Sequence, residues 1–448
     1  MLVSRGTSQR TVPVRFSGKQ AKYWELIRTP KYATSGVVRC IPPTETTRRV
    51  SGLMSKIGVT RIAEVTHLDR VGIPNFMAVR PRDCGPAISY YNGKGSTREA
   101  AKAGAMMEAI ERFCGEQCDL QVFYCSYQQI KKRGPSVDPA DIILPKFRDY
   151  HPSDPLEWVE GFELISRKPI FVPLNSVICP YEPKRNRALY YGSTNGLASG
   201  NTLEEALCHA ICEVIERDAL AISCSSLELA PAVHQILASF GQTANHSTRA
   251  PLARFPLIEL DSLPAGAGRL TRKLQSSGLK TYLRDITCTA GMPTLDCAIV
   301  ETLLGGRHLV HGGCGTHPDA RVALSRALTE AAQSRVACIQ GGREDLADIV
   351  MPPIDFDPEE TYGKGERRPY SSINSFEYDN VDDDVRFLVN RLKTAGFTQI
   401  AAVNLTRPEI GVPVVRVIVP KAEAWTVFHS HTGRGVFGTR VANALAAN

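Results

Sequence analysis

The chain has 448 residues, 43% hydrophobic and 22% charged, enough apolar surface for a large core and too much for a disordered chain. Its formal charge of +7 suits an anionic ligand, but the basic clusters Lys131 to Arg133, Pro183 to Arg187 and Gly363 to Pro369 lack interleaved aromatics and read as solvated loops, so no nucleic-acid partner is expected. No apolar run approaches the roughly 20 residues of a bilayer span, the N-terminus lacks a signal-peptide core, and the thirteen cysteines are scattered, so a cytoplasmic protein with reduced thiols is expected.

Residues up to about Arg39 are irregular and basic, an arm or an edge element. Pro42 and Pro43, ahead of a polar first turn, start a helix. A strand is expected at Phe76 to Val79, a long helix at Thr97 to Gln117, a strand at Pro169 to Val177 and a second long helix at Thr202 to Ala221. A strand at Leu295 to Thr302, helices at Asp319 to Ile339 and Asp382 to Ala395, and a strand at Val412 to Val419 complete the pattern. Pro352 to Asp384, rich in Pro, Gly, Ser and Tyr, reads as a long functional loop or a subdomain junction.

Two of these helices belong to stretches that align without a gap. In GKGSTREAAKAGAMMEAIER and GNTLEEALCHAICEVIER a glutamate follows a glycine by thirteen positions, Glu108 after Gly95 and Glu213 after Gly200, and E-x-x-E-R continues through Glu111 and Arg112 or Glu216 and Arg217. A looser third copy, HGGCGTHPDARVALSRALTEAAQSR, sets Glu330, Gln333 and Arg335 after a glycine cluster, with Arg326 one turn before the glutamate.

Residues three and four apart share a helix face. Met106, Ile110 and Phe113 then form an apolar stripe opposite Glu108 and Glu111. Leu207, Ile211 and Val214 oppose Glu205, His209, Glu213 and Glu216, while Leu324, Leu328 and Ala331 oppose Arg326, Glu330 and Gln333. One such helix alone would be an ordinary solvated face. Like charges at i,i+3 repel, however, and the arginine at i+4 offsets only the first glutamate of each pair, so a further cation is wanted. Ala101 and Gly104 beside Glu108 leave room for a ligand, and the glycine loops place N–H groups at helix N-termini, where phosphate binds. Carboxylates from several helices suit Mg²⁺, which usually keeps company with substrate phosphates.

The expectation is a magnesium–nucleotide site of an unfamiliar kind. NGKGST has its lysine between glycines and is no P-loop, the kinase motifs are missing, and the glycine clusters at Gly305 and Gly306 and at Gly312, Gly313 and Gly315 lack a dinucleotide fingerprint. Cys114 with Cys118 and Cys208 with Cys212 stand at i,i+4, a spacing open to a shared soft metal. With no CxxC or HxxxH beside them, small buried thiols are the preferred reading.

These residues closely resemble the YcaO superfamily, ATP-dependent enzymes that activate a peptide-backbone amide. The resemblance runs from about Arg39 through GVTRIAEVTHLDRVGIP, YNGKGSTREAAKAGAMMEAIER, STNGLASGNTLEEALCHAICEVIERDA, RALTEAAQSR and VPVVRVIVPKAE. YYNGKG, AMMEAIER, CEVIERDA and EAAQSRVACIQGGRED look most like the subgroup linked with TfuA proteins, which installs thioamides, and in particular the enzymes that thioamidate a glycine of the methyl-coenzyme M reductase α subunit. The resemblance implies an α+β composite fold of mixed sheets and helices with loop–helix repeats. Residues 1–38 would be an arm and residues 39–448 the ATP-binding catalytic domain, in three subdomains and as a homodimer.

It also implies ATP and Mg²⁺ as cofactors. The matching metal positions are Glu108, Glu111, Glu213, Glu216 and Glu330. Arg39, Thr46, Asn201, Glu205, Arg217 and Arg326 match positions around the nucleotide, with Glu205, Arg217 and Arg326 expected to be catalytic. A TfuA-like partner would supply sulfide. The PxPxP tail of many azoline-forming relatives is absent from FGTRVANALAAN, which weighs against heterocycle formation. An azoline-forming cyclodehydratase acting on a ribosomal peptide and a non-catalytic nucleotide-binding scaffold stand as alternatives.

Overall fold

A computed structural model describes residues 23–34, 37–84, 88–116, 120–143, 150–183, 185, 188–190, 192–229, 249–288, 290–342, 357–424 and 438–441. A hairpin of β1 (Tyr32–Thr34) and β2 (Val37–Arg39) leads into α1 (Pro43–Val50), which opens on the proline pair because a first-turn residue needs no N–H. Next come β3 (Arg61–Glu64), β4 (Asn75–Val79), β5 (Tyr90–Lys94) and the long α2 (Arg98–Glu116). Strands β6 (Phe123–Ser126), β7 (Pro155–Glu163), β8 (Lys168–Pro173) and β9 (Leu197–Ser199) run to α3 (Leu203–Cys224). After β10 (Leu257–Ile258), α4 (Ala265–Ser276), β11 (Lys280–Asp285), β12 (Thr294–Thr302) and β13 (His308–Thr316) comes α5 (Ala320–Gln340). β14 (Arg367–Arg368), α6 (Val381–Thr394), β15 (Ala401–Asn404) and β16 (Val414–Ile418) follow.

The architecture is α+β, as expected. The strand expected at Pro169 to Val177 ends at Pro173, because Leu174–Ser176 close into a 3-10 turn and Ser176 Oγ donates to the Pro173 carbonyl at 2.7 Å. Within the stretch read as a loop, a short helix (Pro358–Thr361), β14 and the 3-10 turn Tyr370–Ser372 precede α6, while residues 352–356 lie outside the described residues.

Three sheets carry the site. Their strand orders are β3-β4-β5, then β6-β7-β15-β16-β9 with β8 on β7, then β13-β12-β11-β10-β14. β5, β9 and β13 are edge strands, and each runs directly into one of the glutamate helices. Those helices bury the stripes the periodicity predicts. Met106 and Ile110 pack with Phe76 and Tyr91, Leu207 and Ile211 with Val385 and Leu388 of α6, and Leu324 and Leu328 with Leu295 and Ile299 of β12. With one face of each helix fixed in a core, the opposite face is held toward the gap between the sheets.

The glycines before the helices serve this packing. A Cβ on Gly93 would lie 2.1 Å from the Ala101 carbonyl oxygen, one on Gly200 2.4 Å from Ala206 N and one on Gly313 2.1 Å from Ala331 N. Only glycine lets these strands approach the helix backbone so closely. Ala101, expected beside the ligand, is instead fully buried under Gly93, and Gly104 alone of that pair faces the gap. Gly313→Ala is expected to destabilise the protein by about 3 kcal/mol, the upper range of core overpacking. Gly312, whose added Cβ would meet nothing within 4 Å, should tolerate alanine without a change in thermal midpoint. Equal midpoints for the two variants would refute this packing role.

The described part of the N-terminal segment is docked. Trp24 is buried and stacks on Phe162 at 5.7 Å between ring centroids. The Ile27 N–H donates to Glu204 Oε1 of α3 at 2.9 Å, the Thr29 N–H donates to Asp382 Oδ1 of α6 at 3.0 Å, and Lys31 Nζ pairs with Asp384 Oδ2 at 2.7 Å. The segment straps α3 to α6 and delivers Arg39 and Cys40 to the carboxylate face.

Candidate active site

The acidic faces of α2, α3 and α5 converge on one cavity of about 1520 Å³. Glu108, Glu111, Glu213, Glu216, Glu330, Arg39, Thr46, Asn201, Glu205, Arg217 and Arg326 all line it. Each helix grips the edge strand of the next unit. Glu111 of α2 accepts the Ser199 N–H of β9 at 2.8 Å, Glu216 of α3 accepts the Thr316 N–H of β13 at 3.0 Å, and Glu330 of α5 takes the ammonium of Lys94, at the end of β5. Lys94, Ser199 and Thr316 hold the same place in the three copies, equally far before Glu111, Glu216 and Gln333. The ring closes on itself.

Burial and mutual repulsion set the charge state of this ring. Burial raises the Glu111 carboxyl well above the usual range, and the Glu108 and Glu213 charges add to it. Glu213 is pushed up to about 7 by burial, with Glu216 and Glu108 adding and Arg217 opposing. Glu216 is raised by burial and by Glu330. Glu330 itself is held below its usual value, since Lys94, Arg217 and Arg326 outweigh the effect of burial. A carboxylate set that stays partly protonated until a cation arrives fits Mg²⁺, and its donors are all oxygen.

A group with a raised folded pKa stabilises the fold below its unfolded value, and that contribution is lost as pH rises through the folded value. For Glu213 the window runs from the ordinary carboxylate range to about 7. Cation binding in this window must expel protons. Calorimetric titration of magnesium–ATP at pH 6.5 should therefore give different heats in two buffers of unlike ionisation enthalpy. Identical heats would mean that the ring is already ionised.

The cations are arranged around the acids. Arg112 Nε bonds Glu108 Oε1 at 2.9 Å, offsetting the first glutamate as expected. Arg217 Nη2 instead stands 4.0 Å from both Glu213 and Glu216. Arg326 lies 4.0 Å from Glu216, donates to His209 Nδ1 at 3.1 Å, and leaves its buried Nε without a partner among the described residues. Burial and the nearby cations Arg326, Arg39 and Lys94 hold His209 far below its usual pKa, so the ring is neutral with its proton on Nε2.

Glu205 is a hub. Its carboxylate accepts the Cys40 N–H at 2.7 Å and both the N–H and side-chain amide of Asn201, at 3.0 and 2.9 Å, with Arg39 at 3.9 Å. Although burial works against the charge, Arg39 and these donors keep its pKa below the usual range.

Sequence reasoning missed Lys94. It was visible as the residue matching Ser199 once the two copies are aligned. Arg335, grouped with the third copy, also lines the cavity but is paired with Asp69 at 3.0 Å and Glu301 at 2.6 Å. Among the cysteines, Cys114, Cys208 and Cys212 are buried, and Cys118 lies outside the described residues. Cys208, His317 and Asp384 do cluster at the cavity wall. The Asp319 N–H donates to His317 Nδ1 at 3.0 Å, which leaves the Nε2 proton facing Cys208 Sγ at 3.9 Å and no ring lone pair for a metal.

Three strand–helix units that close a ring of buried carboxylates and guanidinium groups define a protein built for a divalent cation and a polyphosphate. Residues 92–423 match the model of the YcaO cyclodehydratase family, described as ATP- and Mg²⁺-binding, and the chain belongs to that family. It is 34% identical over 414 residues to an uncharacterized protein of Methanothermobacter thermautotrophicus, covering 89% of this chain and 98% of the relative. It is 30% identical over 397 residues to an uncharacterized protein in the tfuA 3' region of Rhizobium leguminosarum bv. trifolii, covering 86% and 88%. The fold matches YcaO from Methanopyrus kandleri bound with AMPPCP and Mg²⁺, at TM-score 0.67 and 24% identity, over 92% of this chain and 98% of that one. It also matches a heterocyclase in complex with substrate and cofactor, at TM-score 0.73 and 20% identity, over 95% of this chain and 58% of that one. No helix among the described residues is long and apolar enough to cross a membrane.

Proposed function

We propose that this chain is an ATP- and Mg²⁺-dependent peptide-backbone thioamide synthetase of the cytoplasm, acting as a homodimer with a TfuA-like partner that supplies sulfide. The proposed substrate is a glycine of the methyl-coenzyme M reductase α subunit. The observation that carries the activation chemistry is the closed carboxylate ring with Arg217 and Arg326 on one cavity. At about 1520 Å³ that cavity exceeds the roughly 300–1,000 Å³ of ordinary small-molecule sites and leaves space for a polypeptide beside a nucleotide. Similarity to a protein of the tfuA region supports sulfur as the incoming atom.

An amide oxygen is a poor leaving group, and phosphorylation makes it a good one. Hydrosulfide adds to the glycine carbonyl carbon, and the oxyanion so formed attacks the γ-phosphorus of ATP, releasing ADP. The carbon–oxygen bond then breaks, the sulfur proton leaves with the phosphate, and C=S remains. Glu108, Glu111, Glu213, Glu216 and Glu330 would hold Mg²⁺, which supplies charge neutralisation to the phosphates when bound. Arg217 and Arg326 face the transferred phosphoryl charge. Glu205 fixes Asn201 and Arg39 at the nucleotide, Thr46 lines the same cavity, and His209 keeps a proton on Nε2 for the developing oxyanion.

The test is the mass of the product from a glycine-containing substrate peptide, sulfide, ATP and Mg²⁺. Exchange of oxygen for sulfur is the expected result. Loss of water from a Cys, Ser or Thr peptide would instead establish a cyclodehydratase, and slow ATP turnover without either product would establish a scaffold.

A further inference from the structure

We infer that the edge of β13 without a strand neighbour among the described residues is the docking strand for the substrate, an extended polypeptide segment that adds to the sheet by pairing its backbone with Val310 and Gly312. The inference rests on the amide-activating reading above. In an antiparallel ladder the N–H and C=O of one residue point to the same side, and successive residues alternate. Around β13 the Leu303 N–H donates to Arg307 O at 2.8 Å and the His317 N–H donates to Pro293 O at 3.3 Å, so the odd-numbered positions bond to β12. The Thr316 N–H points the other way and donates to Glu216 at 3.0 Å. Val310, Gly312 and Cys314 therefore carry their backbone groups along the outer edge. That edge has no further strand neighbour among the described residues.

Four features suit this edge to a peptide. Val310, Gly312, Cys314 and Thr316 all line the cavity, so the edge runs into the carboxylate ring. An exposed edge is normally blunted by charge, proline or a bulge, yet HLVHGGCGT holds no Lys, Arg, Asp, Glu or Pro. Gly313 and Gly315 are glycines because α5 presses on them, whereas Gly312 is exposed and free of any such contact. A glycine that the fold does not need marks a place where another backbone can approach. Finally, four residues of strand span about 13 Å, so a segment paired at Gly312 sets an amide a few residues further along beside Glu216. Recognition through the main chain suits an enzyme that acts on the main chain.

The test is hydrogen exchange of the full chain with Mg²⁺ and a non-hydrolysable ATP analogue, with and without a pool of short random-sequence peptides. Capture of the same pool, fluorescently labelled, is followed by anisotropy. Peptides should be captured and should slow exchange at Val310 and Gly312. Gly312→Pro, which removes the outward N–H, should weaken capture about tenfold, the worth of one or two hydrogen bonds and lost approach, while Gly312→Ala, which keeps that N–H, should weaken it less. Capture without protection of β13, equal capture by Gly312→Pro, or no capture at all would overturn the inference. Protection that grows with protein concentration in the absence of peptide would also overturn it, by assigning the edge to a second copy. Should Gly312→Pro fail to fold, exchange in the wild type decides alone. Failure of the wild type to bind the nucleotide analogue is a separate outcome, and it would sink the amide-activating reading itself.

Discussion

Glu213→Gln is expected to abolish magnesium-dependent ATP binding and, in the ligand-free protein at pH 8, to raise the thermal midpoint. Glu213 lies between the Glu108 and Glu111 pair of α2 and Glu216 of its own helix, so its charge is opposed on both sides as well as by burial. Above a pKa of about 7 the apo protein must hold that charge without a cation. The cost is on the order of 1–3 kcal/mol by linkage, and glutamine removes it. On the proposed reading the same substitution takes one anionic oxygen ligand from the middle of the ring, and metal affinity should fall at least about 100-fold. Calorimetric titration of ATP with and without Mg²⁺, beside thermal unfolding at pH 5 and pH 8, separates the two effects. A variant that binds like the wild type places the cation elsewhere, and a midpoint lowered at pH 8 makes Glu213 a structural group.

The helices and their opposed faces were legible because a 3.6-residue period is written in the apolar residues themselves. Met106 and Ile110, or Leu207 and Ile211, can share a face in only one way. The acidic positions followed from the same geometry, and the resemblance assigned them a ligand. What escaped was pairing over long chain distances. Lys94 and Glu330 meet although 236 positions separate them, and Arg335 pairs with Asp69, 266 positions away. Nothing local marks either choice. Backbone donors escaped for a different reason, since the N–H groups of Ser199 and Thr316 close the ring without any residue type announcing them. The glycines illustrate a third limit. A run such as GKG is compatible both with a phosphate loop and with a strand pressed on a helix, and only the 2.1 Å left for a Cβ at Gly93 reveals the packing role, while Gly95 and Ser96 still line the cavity.

Arg217→Met should reduce turnover roughly 10³-fold or more, the worth of a guanidinium on transferred phosphoryl charge, and should destabilise the apo protein in a pH-dependent way. Arg217 stands 4.0 Å from both Glu213 and Glu216, and their charges, with that of Glu330, raise its own pKa against the effect of burial. Without it, the two carboxyls would rise further. At pH 5, below the Glu213 pKa of about 7, that carboxyl is protonated in the wild type, and the two proteins should unfold closer together than at pH 8. At pH 8 the variant must either bury unpaired charge or hold protons far from their free pKa, a penalty of about 3–5 kcal/mol for a broken buried pair. Arg217→Lys separates the two roles. A lysine ammonium restores charge and so most of the stability at pH 8, but as a point charge it lacks the planar fork that meets two oxygens at once, and turnover should stay low. Equal midpoints for wild type and Arg217→Met at pH 8 would show that another cation balances the acids, with Arg326, 4.0 Å from Glu216, the first candidate, whereas full turnover in Arg217→Lys would reduce the role of Arg217 to its charge.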